Sequence, residues 1–411
     1  MPRSPSSPAF WRSPLRGPWF TSVLGVVLLV GITVLFVTGL VSYAAYNPGL
    51  SPVNDQTPDK GLLGFYLFSW PTHPSWLYRL TQGVHVTLGI ALIPVLLAKL
   101  WSVVPKLFAL PPARSLAHAL ERLSLLLLVG GGLFEFTTGV LNVQLDYIFP
   151  GSFYPLHFYG AWVFFAAFLA HAVLKTPLAL RNLRHLRDEQ PSGEGELVSP
   201  NPAEPTVSRR GALGVVGGGS LLLLATTAGR SFDGPLRETA VLAPHGGPEP
   251  GGGPGGFQIN KTAAYAGISP TEAGEEAWRL VVTGRDGRNV RLARPQLLQL
   301  ALHSSALPIA CVEGWSTSDQ WWRGVRLRDL AALVGHDDPV DVLVESLQRH
   351  GAFRRAALRA NQVADPRSLL ALFVNGEDLT PDHGYPARVI VPAAPGVLNT
   401  KWVARMTFGD L

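Results

Sequence analysis

Cys311 is the one cysteine in a chain of 411 residues, so it has no intramolecular disulfide partner. Its thiol is either a small apolar filler in a core or a metal ligand or nucleophile. No Cys-x-x-Cys-His occurs, which excludes covalently attached haem, and four-cysteine iron–sulfur ligation is excluded as well. Three histidines, His85, His157 and His171, fall in long apolar runs. Ionisable groups inside a membrane span are costly and usually mark function, and imidazoles in such runs suit axial ligation of b-type haem iron. His157 and His171 stand about 21 Å apart along one helix, nearly a whole number of turns, so their rings share a face. His85 matches His157 in depth near the outer surface and is its expected partner. The inner counterpart of His171 is Lys99, so a second haem would have to draw on His118. The alternative is that these histidines are interfacial or packing residues. His73 reads as a loop residue. Glu135 reads as a quinone contact, a haem neighbour or a plain hydrogen-bonding group.

The elements that must position these groups are apolar helices. The runs Phe20–Tyr43, Val84–Val104, Leu123–Leu145 and His157–Leu178 are each about long enough to span a bilayer. A fifth, Gly211–Gly229, is weaker and rich in glycine. Arg3, Arg12 and Arg16, with no acid among them, hold the N-terminus inside. Threading from there places Lys99, Lys106, Arg114, Arg122, Lys175, Arg181, Arg184, Arg187, Arg209 and Arg210 on that same side. The loops with Asp55, Asp59 and Asp146 then lie outside. Hydrophobic residues make up 47% and charged ones 15%, and the net charge of +5 sits beside the apolar runs, which points to membrane topology rather than nucleic acid. Ser208-Arg209-Arg210 before a glycine-softened run resembles a twin-arginine export signal, against the plainer reading of a positive flank.

This patterning divides the chain into a cytoplasmic tail (1–18), a four-helix transmembrane domain (19–180), a cytoplasmic linker (181–210), a fifth helix (211–229), a Gly/Pro-rich linker (230–256) and a soluble domain (257–411). In the last, β-rich stretches at Trp278–Val282, Val340–Val344 and Ala387–Val391 alternate with helix-like ones such as Leu327–Leu333, which predicts a mixed α+β domain outside the membrane.

Two resemblances follow from these residues. The string Pro308-Ile309-Ala310-Cys311-Val312-Glu313-Gly314-Trp315-Ser316, then Trp322-Arg323-Gly324-Val325-Arg326-Leu327-Arg328-Asp329-Leu330, resembles the sulfite oxidase family. Phe257-Gln258-Ile259-Asn260-Lys261-Thr262, Trp278–Gly284, Asn375–Leu379, His383–Arg388 and Lys401-Trp402 extend the likeness over about 150 residues. That family holds one molybdopterin whose dithiolene binds molybdenum, with a cysteine thiolate completing the equatorial plane. The resemblance therefore implies that Cys311 is the catalytic metal ligand, since a soft thiolate suits a metal cycling through high oxidation states. It also implies that His383, Arg388, Asn399, Thr400 and Lys401 hold the pterin and its phosphate, with Asn260 and Ser346 as further contacts. Ala263-Ala264 stand where the bacterial sulfoxide reductases carry an aromatic–acid pair, and no dimerisation domain is expected after Leu411, so the substrate pocket is unassigned. Arg323, Arg326 and His350 could line it or form surface salt bridges. Trp322 reads as core, with Trp321 open.

The four-helix block resembles transmembrane b-type cytochromes that pass electrons between quinones and extracytoplasmic partners. The expected protein is thus a plasma-membrane molybdenum oxidoreductase with molybdopterin and haem b. Its small substrate would be an S- or N-oxide to reduce or a sulfite-type anion to oxidise, with the quinone pool as electron partner and no nucleic acid. The alternative is a non-catalytic membrane-anchored binding module.

Overall fold

The computed structural model describes residues 4–55, 57–58, 68–108, 110, 115–143, 153–184, 199, 202–243, 245 and 253–411. Asp59, Arg114, Asp146, Arg187 and residues 246–252 of the expected linker lie outside the described residues. The chain divides into two compact units. The first comprises Met1–Val37, Thr87–Leu141 and Leu156–Leu224, and the second Thr38–Val86, Asn142–Pro155 and Ala225–Leu411. The second unit therefore takes in residues 38–86, which the hydropathy pattern had assigned to the helical domain.

Among the described residues, five helices are long and apolar enough to cross a membrane. They are α1 (Pro18–Ala44), α2 (Leu77–Leu107), α3 (Leu116–Leu141), α4 (Tyr154–Arg184) and the span Arg209–Ser231, which opens with α5 (Arg209–Ala225). The core of the first unit is apolar residues at helical spacing, Phe20, Leu24, Leu28 and Ile32, packed on Leu92, Val95, Leu96, Phe164 and Phe168. Ser115 accepts a hydrogen bond from the His118 amide at 3.2 Å, so α3 begins earlier than its apolar run and His118 sits in its first turn. Likewise Ser208 accepts from the Gly211 amide at 3.0 Å, which makes Arg209 and Arg210 the first residues of α5. Helix α2 begins at Leu77 rather than Val84 because hydropathy misses its polar first turns, where Arg79 and Gln82 bond within the second unit.

Short strands, some alternating in burial and others buried along their length, build the second unit. The strands are β1 (Leu280–Thr283), β2 (Asn289–Leu292), β3 (His303–Leu307), β4 (Gln320–Arg326), β5 (Val342–Ser346), β6 (Arg355–Leu358), β7 (Leu369–Val374), β8 (Glu377–Asp378), β9 (Arg388–Ile390) and β10 (Val403–Phe408). They form two five-stranded sheets. One runs β2–β1–β10–β5–β6, with only β1 and β10 parallel. The other runs β3–β4–β7, with β8 and β9 both paired to β7 and all neighbours antiparallel. Short helices α6 (Pro270–Ala273), α7 (Arg294–Leu298), α8 (Leu327–Ala332) and α9 (Ala360–Ala364) connect them. A core of Trp278, Leu280, Val325, Leu330, Val344, Leu370 and Met406 is closed to solvent, in keeping with the expected α+β class. A side chain at Gly324 would run into the Leu370 carbonyl, so the approach of β4 to β7 requires glycine there.

The expected linker needs correction at its start. Gly234–Thr239 forms a 3-10 turn in which Arg237 is buried, and Ala240 and Ala243 are buried after it. The reason is hydrogen bonding: the Arg237 guanidinium donates to the Arg230 carbonyl (3.3 Å) and the Ser316 carbonyl (2.5 Å). These bonds satisfy a charge that composition alone marks only as polar linker.

Candidate active site

Cys311 lies on the loop between β3 and β4 and is buried. Its amide donates to the Trp315 carbonyl at 2.8 Å, and the Gly314 amide returns to the Cys311 carbonyl at 3.1 Å. This tight turn needs φ 86 at Gly314. The loop is tied from both sides. Ala310 bridges Ser316 and Pro395, and the Gly396 amide donates to the Ala310 carbonyl at 2.7 Å. The Gln82 amide of α2 donates to the Val312 carbonyl at 2.5 Å, and the Ser231 hydroxyl to the Gly314 carbonyl at 2.9 Å. Burial and the nearby Glu313 carboxylate push the thiol well above its ordinary value. A thiolate therefore forms here only against a compensating cation, as a bound metal would supply.

Beside this loop the fold assembles a basic cradle. His383 sits in the 3-10 turn Pro381–His383, Arg388 opens β9, and Asn399, Thr400 and Lys401 lead into β10. The Arg388 guanidinium donates to the carbonyls of His383 (3.0 Å) and Asn399 (3.2 Å), and the Val389 amide donates to the Thr400 carbonyl. Lys401 donates from Nζ to the carbonyls of Lys261 (2.5 Å) and Asp382 (3.0 Å), while the Ser346 hydroxyl donates to the Lys401 carbonyl at 2.7 Å. Cys311 and Lys401 are close enough to influence each other's protonation.

The cradle is short of negative charge. Burial holds Arg388 down at about 9 and Lys261 at about 8. Lys401 is pushed well below its usual range by burial and then by Arg388 and Lys261. Burial, then Arg388 and Lys401, bring His383 to about 3, so its ring is neutral at neutral pH. Among the described residues, four buried atoms here have no hydrogen-bond partner: His383 Nε2, Arg388 Nε, Asn399 Nδ2 and Thr400 Oγ1. Each such atom costs about 1–3 kcal/mol if left so. Clustered desolvated cations and orphaned polar atoms fit an anionic, hydrogen-bonding guest, which a pterin bearing a phosphate is.

The structure thus brings His383, Arg388, Asn399, Thr400 and Lys401 together and ties Ser346 to them. Asn260 is exposed, and joins only through the carbonyl of neighbouring Lys261. Of the residues suggested for a pocket, Arg323 and His350 are exposed, with Arg323 over the Phe373 ring. Trp322 is fully buried and donates to the Leu307 carbonyl, while Trp321 is exposed. Sequence reasoning missed Glu313, which is buried and accepts from His245 (3.0 Å) and Trp315 (2.8 Å). It also missed Lys261, Arg230 and Arg237. An acid two residues after the lone cysteine in an apolar string was the available signal for Glu313.

The histidines of the helices divide between the two units. In the second, the Thr38 hydroxyl lies 3.3 Å from Nδ1 of His85. In the first, Nδ1 of His157 lies 2.9 Å from the Thr138 hydroxyl and 3.2 Å from Glu135. His171 is partly buried further along α4. His73 is an exposed loop residue against Asp365 and Arg367.

Residues 266–410 match the family model described as the oxidoreductase molybdopterin binding domain, and this part of the chain is a molybdopterin-binding oxidoreductase domain of the sulfite oxidase type. The chain is 30% identical over 131 residues to the uncharacterized oxidoreductase YuiH of Bacillus subtilis (strain 168), covering 32% of this chain and 65% of that one. It is 31% identical over 156 residues to the mitochondrial sulfite oxidase of Mus musculus, covering 32% of this chain and 29% of that protein. A nitrate reductase of Hordeum vulgare is 38% identical over 94 residues, 21% of this chain and 10% of its own. The chain therefore spans less than two thirds of the length of these relatives. The solved sulfane dehydrogenase SoxCD from Paracoccus pantotrophus overlaps 33% of this chain and 39% of its own at 23% identity, with a TM-score of 0.30.

Proposed function

We propose that this chain is a molybdenum-dependent oxidoreductase of the plasma membrane, its C-terminal domain extracytoplasmic and coupled through haem b to the quinone pool. The observation that carries the reading is the lone buried Cys311 beside a basic cradle with buried polar atoms that no group of the described residues hydrogen-bonds. When bound, the molybdenum cofactor would supply two-electron oxygen-atom chemistry and haem b single-electron exchange. Cys311 would hold the metal. Arg388 and Lys401 would neutralise the phosphate, and His383 and Asn399 would hydrogen-bond the pterin edge. The Cys311 loop, pinned by Gln82, Ser231 and Gly396, would keep that ligand in a fixed, dry position.

Support for the haem link comes from α2. Gln82, bonded to the residue after Cys311, lies one turn before His85 on the same helix. Membrane placement is supported by the five long apolar helices, and export by the twin arginine at the start of α5. The relatives named sulfite oxidase favour a sulfur oxyanion, with reduction of an S- or N-oxide as the opposite direction of the same chemistry. The test is metal and pterin analysis of purified wild type beside Cys311→Ala. Near-stoichiometric molybdenum in the wild type, with altered coordination in the variant, is expected. Protein made in a competent host without molybdenum or pterin would overturn the assignment.

A further inference from the structure

Two threonine–glycine pairs in the apolar helices treat two histidines alike. Thr38 and Gly39 of α1 face His85, and Thr138 and Gly139 of α3 face His157. In each case the hydroxyl meets Nδ1 and the next residue lies under the ring. A Cβ on Gly39 would come within 2.8 Å of Cε1 of His85, and one on Gly139 within 3.4 Å of Cε1 of His157. Real side chains almost never approach as closely as the first value, so His85 lies against bare backbone that only glycine provides.

The bonding around His157 fixes its tautomer. The Thr138 hydroxyl donates its single proton to the Phe134 carbonyl at 2.8 Å, so toward His157 it accepts. An oxygen of the Glu135 carboxyl group lies 3.2 Å from the same nitrogen. Nδ1 therefore carries the hydrogen, and the lone pair of a neutral ring is on Nε2. A histidine set this way ligates a metal through Nε2, and a carboxylate on the opposite nitrogen makes it the stronger donor.

We propose that Thr38–Gly39 and Thr138–Gly139, together with Glu135, are the positioning residues of two haem-iron ligands, His85 and His157. The inference rests on the haem reading above and adds what orients each ring and sets the donor strength of one. Glu135 then has a defined role: an oxygen of its carboxyl group faces Nδ1 of His157, holds the ring in place and, by accepting its hydrogen, makes Nε2 the stronger donor, which lowers the haem potential.

The test uses the full chain purified in detergent, with haem content, electron paramagnetic resonance and redox titration as readouts. Glu135→Gln and Thr138→Val are expected to keep haem but raise a midpoint potential and shift the low-spin resonance, and Thr138→Ser to restore the wild-type signal. Thr38→Val is expected to shift the resonance of the haem bound by His85. Gly39→Ala is expected to lower haem content several-fold, with Gly139→Ala far milder, in keeping with the two distances. If the wild type holds haem but the threonine and glutamate variants leave potential and resonance unchanged, the positioning inference is wrong while the haem reading stands. If the wild type holds no haem, the haem reading itself fails and takes this inference with it.

Discussion

Replacing Arg388 with methionine separates a cofactor-binding role from a bracing one. The guanidinium is buried, donates to two carbonyls at 3.0 and 3.2 Å, and stacks 5.1 Å over Trp322, while its Nε has no partner. In the cofactor-free protein the two charge-assisted bonds contribute about 1.5–3 kcal/mol each. Against them stands the cost of burying the cation: holding the group down at about 9, from an ordinary value near 12.5, corresponds to about 5 kcal/mol at neutral pH. The terms nearly cancel, so the cofactor-free variant should melt within a few degrees of the cofactor-free wild type. With a phosphate present the balance changes, because losing one partner of a buried charge pair costs about 2–5 kcal/mol. At about 1.4 kcal/mol per tenfold, retention of the pterin should fall by roughly 30-fold or more. The assay is fluorescence of oxidised pterin after dialysis, beside melting of the cofactor-free forms. A variant that keeps pterin as well as wild type would refute the reasoning. So would a cofactor-free variant destabilised as strongly as the loaded one, which would make Arg388 a brace between β9 and the Asn399 turn.

Further outcomes follow from the same geometry. His383 is held at about 3, below its ordinary value near 6.5, so between these values the unfolded chain takes up a proton that the folded chain refuses. Stability is then lost as pH falls through that window, about 3 kcal/mol by pH 4.5. Melting of the cofactor-free protein at pH 7 and 4.5 should show this in wild type and not in His383→Gln. Gln82→Leu removes the bond from α2 to the Val312 carbonyl. On the proposed coupling to haem b, it should slow reduction of haem by substrate several-fold while molybdenum content stays at the wild-type level, as read by stopped-flow absorbance. Gly324→Val forces β4 from β7 at the Leu370 carbonyl, and should cost more than about 3 kcal/mol or prevent folding, checked by soluble yield and melting.

Different residues were legible at different levels. Cys311 could be read because it is the only residue of its kind and sits in a distinctive string. The five helices could be read because they are long and apolar, both one-dimensional properties. Their beginnings were less legible: α2 starts at Leu77 because Arg79 and Gln82 find partners far away in sequence, which hydropathy does not register. The packed turn at Gly234–Thr239 was missed for the same reason, since Arg237 is polar in composition and buried only by virtue of Ser316 and Arg230.

By itself the sequence determined the two-part character of the chain, the thiolate that could meet a metal and the basic residues that could meet a phosphate, because each depends on residue type and local order. Tertiary structure alone decided that residues 38–86 join the C-terminal unit, that Glu313 is buried beside Cys311, and that burial lowers the basicity of His383, Arg388 and Lys401, with Arg388 adding to the effect on the other two. Those properties arise from desolvation and from distances between segments remote in the chain, and neither exists until the chain has folded.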